Sequence, residues 1–162
     1  MCPAASKLFY DGRHYDVSAS IGHRLMHLMM LMRREVETRM AEHGLTDAQW
    51  KPLWMLQTGR ASNAIELARE MMVDAGAITR MLDRLEAKGL LERVRSETDR
   101  RVVHLRLTEA GSAAASQVPH VLASVNNDFL RGFTAKEFEQ LRALLDRMHA
   151  NGSALQGEEA AA

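Results

Sequence analysis

Between residues 63 and 107 the spacing of apolar side chains changes its period, and that change limits the fold more than any other feature of the chain. Asn63 to about Glu70 reads as a short helix, capped by Asn63 with Glu66 three residues on. A brief connection, Met71 to Val73, leads to Asp74, a good N-cap. The next helix is expected from Ala75 to Lys88, with Ile78, Met81, Leu82 and Leu85 on its buried face and Gly89 as its stop. From Leu91 the period is two. Leu91 and Arg93 lead to Val103, Leu105 and Leu107, which alternate with Val102, His104 and Arg106. The intervening loop RSETDRR is polar and charged throughout, so the pair reads as a hairpin with a charged tip. Helix, turn, helix and hairpin in that order make a winged helix-turn-helix.

The flanks are helical. Residues 1–17 contain Pro3 and Gly12 and show no period, so they read as an arm. A long helix is expected from about Ser18 to His43, with Ile21, Leu25, Leu28, Met32, Val36 and Met40 as one stripe. Met26, Met29 and Met30 widen that stripe nearly all round the helix, which in so small a chain points to a partner subunit. Gly44 stops it. Thr46 to Gln49 reads as a capping box, stapled by Leu45 and Trp50, and the helix it starts runs to about Gln57 with an expected bend at Pro52. Thr108 caps another helix, Glu109 to about Arg131, with Val118, Val121, Leu122, Val125 and Phe129 as its stripe. After Gly132, Thr134 to Glu137 form a second capping box, and Phe138, Leu141, Leu144, Leu145 and Met148 mark the last helix. The tail, 151–162, is small and acidic and is expected to be disordered. The fold class is mainly α with a small β-hairpin wing. A winged domain, 46–108, joins a helical lobe built from 18–45 and 109–150.

Composition removes several classes. Of 162 residues, 46 % are hydrophobic and 26 % charged, an ordinary globular balance. The one cysteine, Cys2, excludes a disulfide framework and any multi-cysteine metal site. No apolar run has the length of a membrane span, and the first residues carry no secretory-type apolar segment, so the cytoplasm is the expected compartment. Lys plus Arg, 21, equal Asp plus Glu, 21, yet the charge is segregated. Ile78 to Arg106 holds eight basic residues against five acidic, and Leu107 to the end reverses to four against seven. One face therefore suits an anionic partner.

Duplex DNA fits that face. A helix enters the major groove, and an arginine-bearing hairpin reaches phosphate or the minor groove beside it. At the start of the second helix, Ala75, Gly76 and Ala77 allow close approach, Thr79 can hydrogen-bond base or phosphate, and Arg80 and Arg84 can reach guanine or backbone. Arg95, Arg100 and Arg101 are the wing's candidates. The stretches ITRMLDRLEAKGLLER, 78–93, and SETDRRVVHLRLTEAG, 96–111, resemble the MarR family of bacterial transcriptional regulators. Asp99 and Arg101, followed by Leu105, Leu107, Thr108 and Gly111, are similar to the family's wing signature, and the layout agrees over about 18–150. The resemblance implies a homodimer whose first and last two helices form the dimerisation lobe, with two winged domains on a pseudo-palindrome. It further implies that Asp99 and Arg101 shape the wing, with Arg100 and Arg101 near DNA. Pro52 stands where the family usually carries Val, and Ala75 and Gly76 where it often carries Pro or Ser.

Three signals compete as the input. A small aromatic carboxylate, such as a hydroxylated benzoate or nicotinate, would use Trp50 and Trp54 to sandwich its ring and Lys51 to hold its carboxylate. Arg13, Tyr15 and His23 would complete that pocket. Zinc would use His23 and His27, at i and i+4 on one helix face, with His14 or His43 as further ligands. A thiol switch would use Cys2, with Lys7 nearby. Glycine-rich phosphate loops, G-x-S-x-G and H-E-x-x-H are all missing from the sequence, so no enzyme and no cofactor are expected. A helical interaction protein would explain the stripes but leave the charged wing without a use. The expectation is a repressor released from its operator by an aromatic acid.

Overall fold

The structure is a computed structural model and describes residues 8–95 and 103–159, with side chains to 155. The elements run α1 (Ile21–Glu42), α2 (Asp47–Gln57), α3 (Ala64–Met71), α4 (Ala75–Ala87), β1 (Leu91–Arg95), β2 (Val103–Leu107), α5 (Glu109–Phe129) and α6 (Ala135–Glu159), preceded by a single 3-10 turn at Gly12–His14. The chain divides into two compact units, Met1–Val125 and Asn126–Ala162. Among the described residues, six α-helices and one antiparallel hairpin agree with the fold class read from the sequence.

The helix starts are set by side chains. Ser20, Asn63 and Asp74 accept from the backbone N–H of His23, Glu66 and Ala77 respectively. Gln49 Oε1 accepts from the Thr46 N–H at 3.1 Å, and Glu137 does the same for Thr134 at 2.8 Å. Each such bond satisfies a donor that the first helical turn leaves open. α4 ends at Gly89, whose φ of +67° is a left-handed conformation that a side chain would oppose.

The hairpin pairs Leu91 with Leu107, Arg93 with Leu105 and Arg95 with Val103. Leu91 and Leu105 point inward and are buried. Asn63 adds a bridge to His104, and the Leu105 N–H donates to Ser62 O at 2.8 Å, so the start of α3 closes the outer edge of β2. Beneath lies the core of the winged domain: Leu53, Leu67, Ile78, Leu82 and Leu85, all essentially excluded from solvent. Each of these leucines contributes about 1.5–3 kcal/mol by leaving water.

Thr108 locks the base of the wing. Its hydroxyl donates to Gly89 O at 2.6 Å and accepts from the Gly111 N–H at 3.0 Å. Gly111 is the position where no other residue fits, since a Cβ there would lie 1.7 Å from Leu90 O. α5 then buries Ala115, Val118, Val121 and Val125.

One expectation needs adjustment. The segment 151–159, expected to be a disordered tail, continues α6 to Glu159. Alanine, leucine, glutamine and glutamate favour a helix there and carry it past Gly152 and Gly157, which oppose one. The long α1 stripe is only partly buried: Val36 and Met40 are enclosed, while Ile21, Met26, Leu28, Met29, Met30 and Leu31 remain exposed. Along α6, residues 135–155 include none that is buried.

Candidate nucleic-acid interface

α3 and α4 meet through Met72, in the left-handed conformation at φ 53°, and Val73. This sharp turn leaves the N-terminal half of α4 facing outward, with Ile78, Leu82 and Leu85 anchoring its other side. Ala75, Gly76, Thr79, Arg80 and Arg84 are exposed, and Ala77 is half-exposed. Small residues at 75–77 keep the first turn low. Even a methyl at Gly76 would stand 3.1 Å from Asp74 Oδ1 and 3.5 Å from an Arg80 guanidinium nitrogen. The Thr79 hydroxyl donates to Ala75 O at 2.9 Å, leaving its lone pairs outward as acceptors.

The arginines of this region divide into two groups. Arg93, on β1, is held against α4 by Asp83 at 2.7 Å and by Glu86, which also accepts from the Arg93 N–H. Those hydrogen bonds keep its charge more firmly than usual despite burial. Arg80 and Arg84 have no salt bridge among the described residues, and Arg95 ends β1 exposed. Arg93 therefore fixes the wing to α4, while Arg80 and Arg84, without a salt bridge among the described residues, are available to an anion. Asp74 is held below the usual carboxylate range, first by the Ala77 N–H, then by the Gly76 N–H and the charge of Arg80. Asp99, Arg100 and Arg101, like Cys2, lie outside the described residues.

Beside α4 lies a cavity of about 340 Å³ lined by Thr46, Gln49, Met71, Val73, Ala77, Arg80, Met81 and Arg84. It combines thioether and aliphatic walls with two guanidinium groups. A second cavity, about 470 Å³, is lined by Arg33, Asp47, Lys51, Met55, Glu70 and Met71. Here the Lys51 amine and Arg33 both donate to Asp47 Oδ2, at 2.8 and 3.0 Å.

The six residues expected around an aromatic acid are dispersed. Arg13 sits in the 3-10 turn, and Tyr15 packs on Tyr10 at 5.6 Å. His23 stacks with His27 on α1. Trp50 and Trp54 are half-buried on α2, and Lys51 lies 5.5 Å over the Trp50 ring. Of the six, Lys51 alone lines either cavity. Trp50 Nε1 is a buried donor with no partner among the described residues. Sequence reasoning missed the cavity beside α4, because its wall comes from three segments whose proximity has no local signal. Among the described residues, no three His, Cys, Asp or Glu side chains converge on a metal position, and no helix is long and apolar enough to cross a membrane.

A sequence model of the MarR family matches residues 45–103, from the start of α2 to β2. Among solved structures, the reduced form of MarR from E. coli is 29 % identical with a TM-score of 0.70, over 80 % of this chain and 96 % of that one. A cysteine-to-serine variant of E. coli MarR, complexed with operator DNA, is 31 % identical with a TM-score of 0.65, over 77 % and 91 %. The YusO protein of Bacillus subtilis is 29 % identical with a TM-score of 0.66, over 80 % and 92 %. Proteins of this kind are transcription regulators rather than enzymes. With its winged core, its outward-facing α4 and these likenesses across most of its length, the chain belongs to the MarR family of transcriptional regulators.

Proposed function

We propose that this regulator acts as a homodimeric repressor, occupying a pseudo-palindromic duplex operator and leaving it when a small aromatic carboxylate binds. The observation that carries the DNA reading is the exposed pair Arg80 and Arg84, free of salt bridges among the described residues, beside Thr79 on α4. The likeness to operator-bound E. coli MarR supports the same face. α4 lies in the major groove, with Ala75, Gly76, Ala77 and Thr79 against base edges and Arg80 and Arg84 on guanine or phosphate. Arg95, Arg100 and Arg101 follow the backbone from the wing, whose tip Asp99 and Arg101 shape.

The exposed apolar side chains of α1 and α6 support the dimer, since residues 18–45 and 109–150 leave more apolar surface than one protomer covers. Two-fold symmetry then matches half-sites about 34 Å apart. For the effector, the cavity beside α4 supplies apolar walls and two cations, so an aromatic acid bound there takes Arg80 and Arg84 from phosphate. The face formed by Trp50, Lys51 and Trp54, with Arg13, Tyr15 and His23, is the competing position. There the acid would act by shifting the population of helix spacings.

Fluorescence anisotropy with duplex from upstream of the protein's own gene, repeated with a panel of aromatic carboxylates, tests the reading. Tight, salt-sensitive binding released by one acid is expected. Binding that no acid alters would remove the effector, and salt-insensitive or absent binding would remove the operator. Met81→Glu and Trp54→Ala then separate the two positions, because release should fail in one of them alone.

A further inference from the structure

The polar groups on the outer face of α4 differ in what they can still offer a partner. Arg80 and Arg84 only donate, and the side chains of Ala75, Gly76 and Ala77 carry nothing polar. Asp83 and Glu86 are engaged by Arg93, and Asp74 Oδ1 accepts from the Ala77 N–H at 2.9 Å. Thr79 is exposed, and its Oγ1 stands 2.9 Å from Ala75 O. A carbonyl oxygen only accepts, so the single hydroxyl proton of Thr79 is spent inside the helix. Its oxygen keeps acceptor capacity alone. Helical side chains lean toward the N-terminus, so Thr79 overhangs Ala75 and Gly76, whose one methyl between them leaves that oxygen open to a groove floor.

An acceptor without a proton to give discriminates among the groups of a duplex. Phosphate oxygens are acceptors too, as are N7 and O6 of guanine and O4 of thymine, and none of these can bond to it. The donors on the major-groove edges are the exocyclic amines, N4 of cytosine and N6 of adenine. Resting on the reading of α4 as the major-groove helix, we infer that Thr79 is a specificity-determining residue whose Oγ1 accepts from one such amine in each half-site. The neighbouring arginines have the opposite preference and donate to guanine N7 and O6. They also serve any sequence through phosphate, whereas Thr79 selects among bases.

The test uses the full chain and the duplex from upstream of its own gene, with binding followed by fluorescence anisotropy. One cytosine or adenine at a time is replaced by N4-methylcytosine or N6-methyladenine. Within a base pair each carries its methyl in place of the major-groove N–H. Thr79→Val removes the oxygen and keeps the β-branched shape, with helical content checked by circular dichroism. Wild type should lose about three- to tenfold, the effect of one neutral hydrogen bond, at one position in a half-site. Thr79→Val should bind the unmodified duplex more weakly by a similar factor and be indifferent to the methyl at that position. Which base responds identifies the amine as cytosine or adenine. Thr79→Val binding the unmodified duplex as tightly as wild type would overturn the inference, as would equal losses in both proteins at every methylated position. In either case salt-sensitive binding by wild type would leave the DNA reading standing. A Thr79→Val loss that a backbone methylphosphonate cancels and a base methyl does not would place the hydroxyl on phosphate, and would also overturn the inference. Wild type that ignores the duplex even at low salt would instead remove the operator reading, and this inference with it.

Discussion

The winged core and the helix α6 are equally regular in backbone and opposite in how they are held. From α2 to β2 every element contributes at least one buried apolar residue, and Leu53, Leu67, Leu82 and Leu85 interlock with almost no exposure. α6 spans 25 residues, yet within 135–155 nothing is buried, and Phe138, Leu144, Leu145, Met148 and Leu155 all face outward. Capping explains why α6 starts at Ala135, since Thr134 and Glu137 satisfy each other. It cannot explain why a helix should persist there, because helices in proteins gain most of their stability by packing an apolar face. The two regions show that local sequence specifies a helix more cheaply than it specifies what the helix packs against. One region closes on itself, and the other leaves its apolar side chains exposed.

The largest effect should come from breaking the self-contained region at Gly111. A valine there would drive its Cβ onto Leu90 O, a backbone atom that Thr108 and the start of α5 hold in place. Unfolding in urea should show a loss of about 4 kcal/mol or more, the range reached when a substitution has no room to relax. A loss under 1 kcal/mol would mean that the turn between α4 and the wing is softer than its geometry implies.

Gly111 also marks where sequence reading stops. Periodicity and capping residues were enough for the helix starts at Asn63, Asp74 and Thr108, because those interactions lie within four residues of one another. The requirement for glycine depends on Leu90, twenty-one positions away, and has no local signature. The same holds for Arg93. Its charge counted toward a basic segment in the sequence, but Asp83 and Glu86 neutralise it only once β1 folds back along α4. The exposed half of α4 was legible, since Ile78, Leu82 and Leu85 assign one face to the core and leave Thr79, Arg80 and Arg84 on the other. The cavity beside them was not, nor was the continuation of α6 past Asn151.

A second prediction separates the two groups of arginines. Arg84→Ala and Arg80→Ala should each weaken operator binding by about 1–3 kcal/mol and reduce its salt slope by about one, with unfolding unchanged. Arg93→Ala should instead lower thermal stability, as Asp83 and Glu86 are left facing each other without a counter-charge. Wild-type affinity in both α4 variants would take the DNA face elsewhere.

The outer region is sharpened by dilution. Leu144 is 51 % exposed within one chain, so Leu144→Ala should leave the circular dichroism of concentrated protein unchanged. It should weaken self-association about tenfold, near 1.4 kcal/mol, as measured by sedimentation. An unchanged association constant would move the dimer surface away from that side of α6.

The smallest effect is a pH dependence located at the helix starts. Asp74, Glu66 and Glu137 are each held below the usual carboxylate range, foremost by a backbone N–H: that of Ala77, Ser62 and Thr134 respectively. A carboxyl with a folded pKa below its unfolded one contributes stability above the unfolded value and loses it as pH falls through the folded one. The loss therefore belongs to the acid side, from about pH 5 downward. Asn at position 74 keeps a cap oxygen but has no charge to lose. Asp74→Asn should match wild type near neutrality and show a shallower decline in acid, and identical acid transitions would exclude Asp74 from the effect. Protonation of Asp74 weakens the cap of α4 and removes a negative charge from the surface that carries Arg80. Acid should thus weaken the winged core where its operator-facing charge increases, an opposition that the start of α6, where Thr134 alone holds the Glu137 carboxylate, does not share.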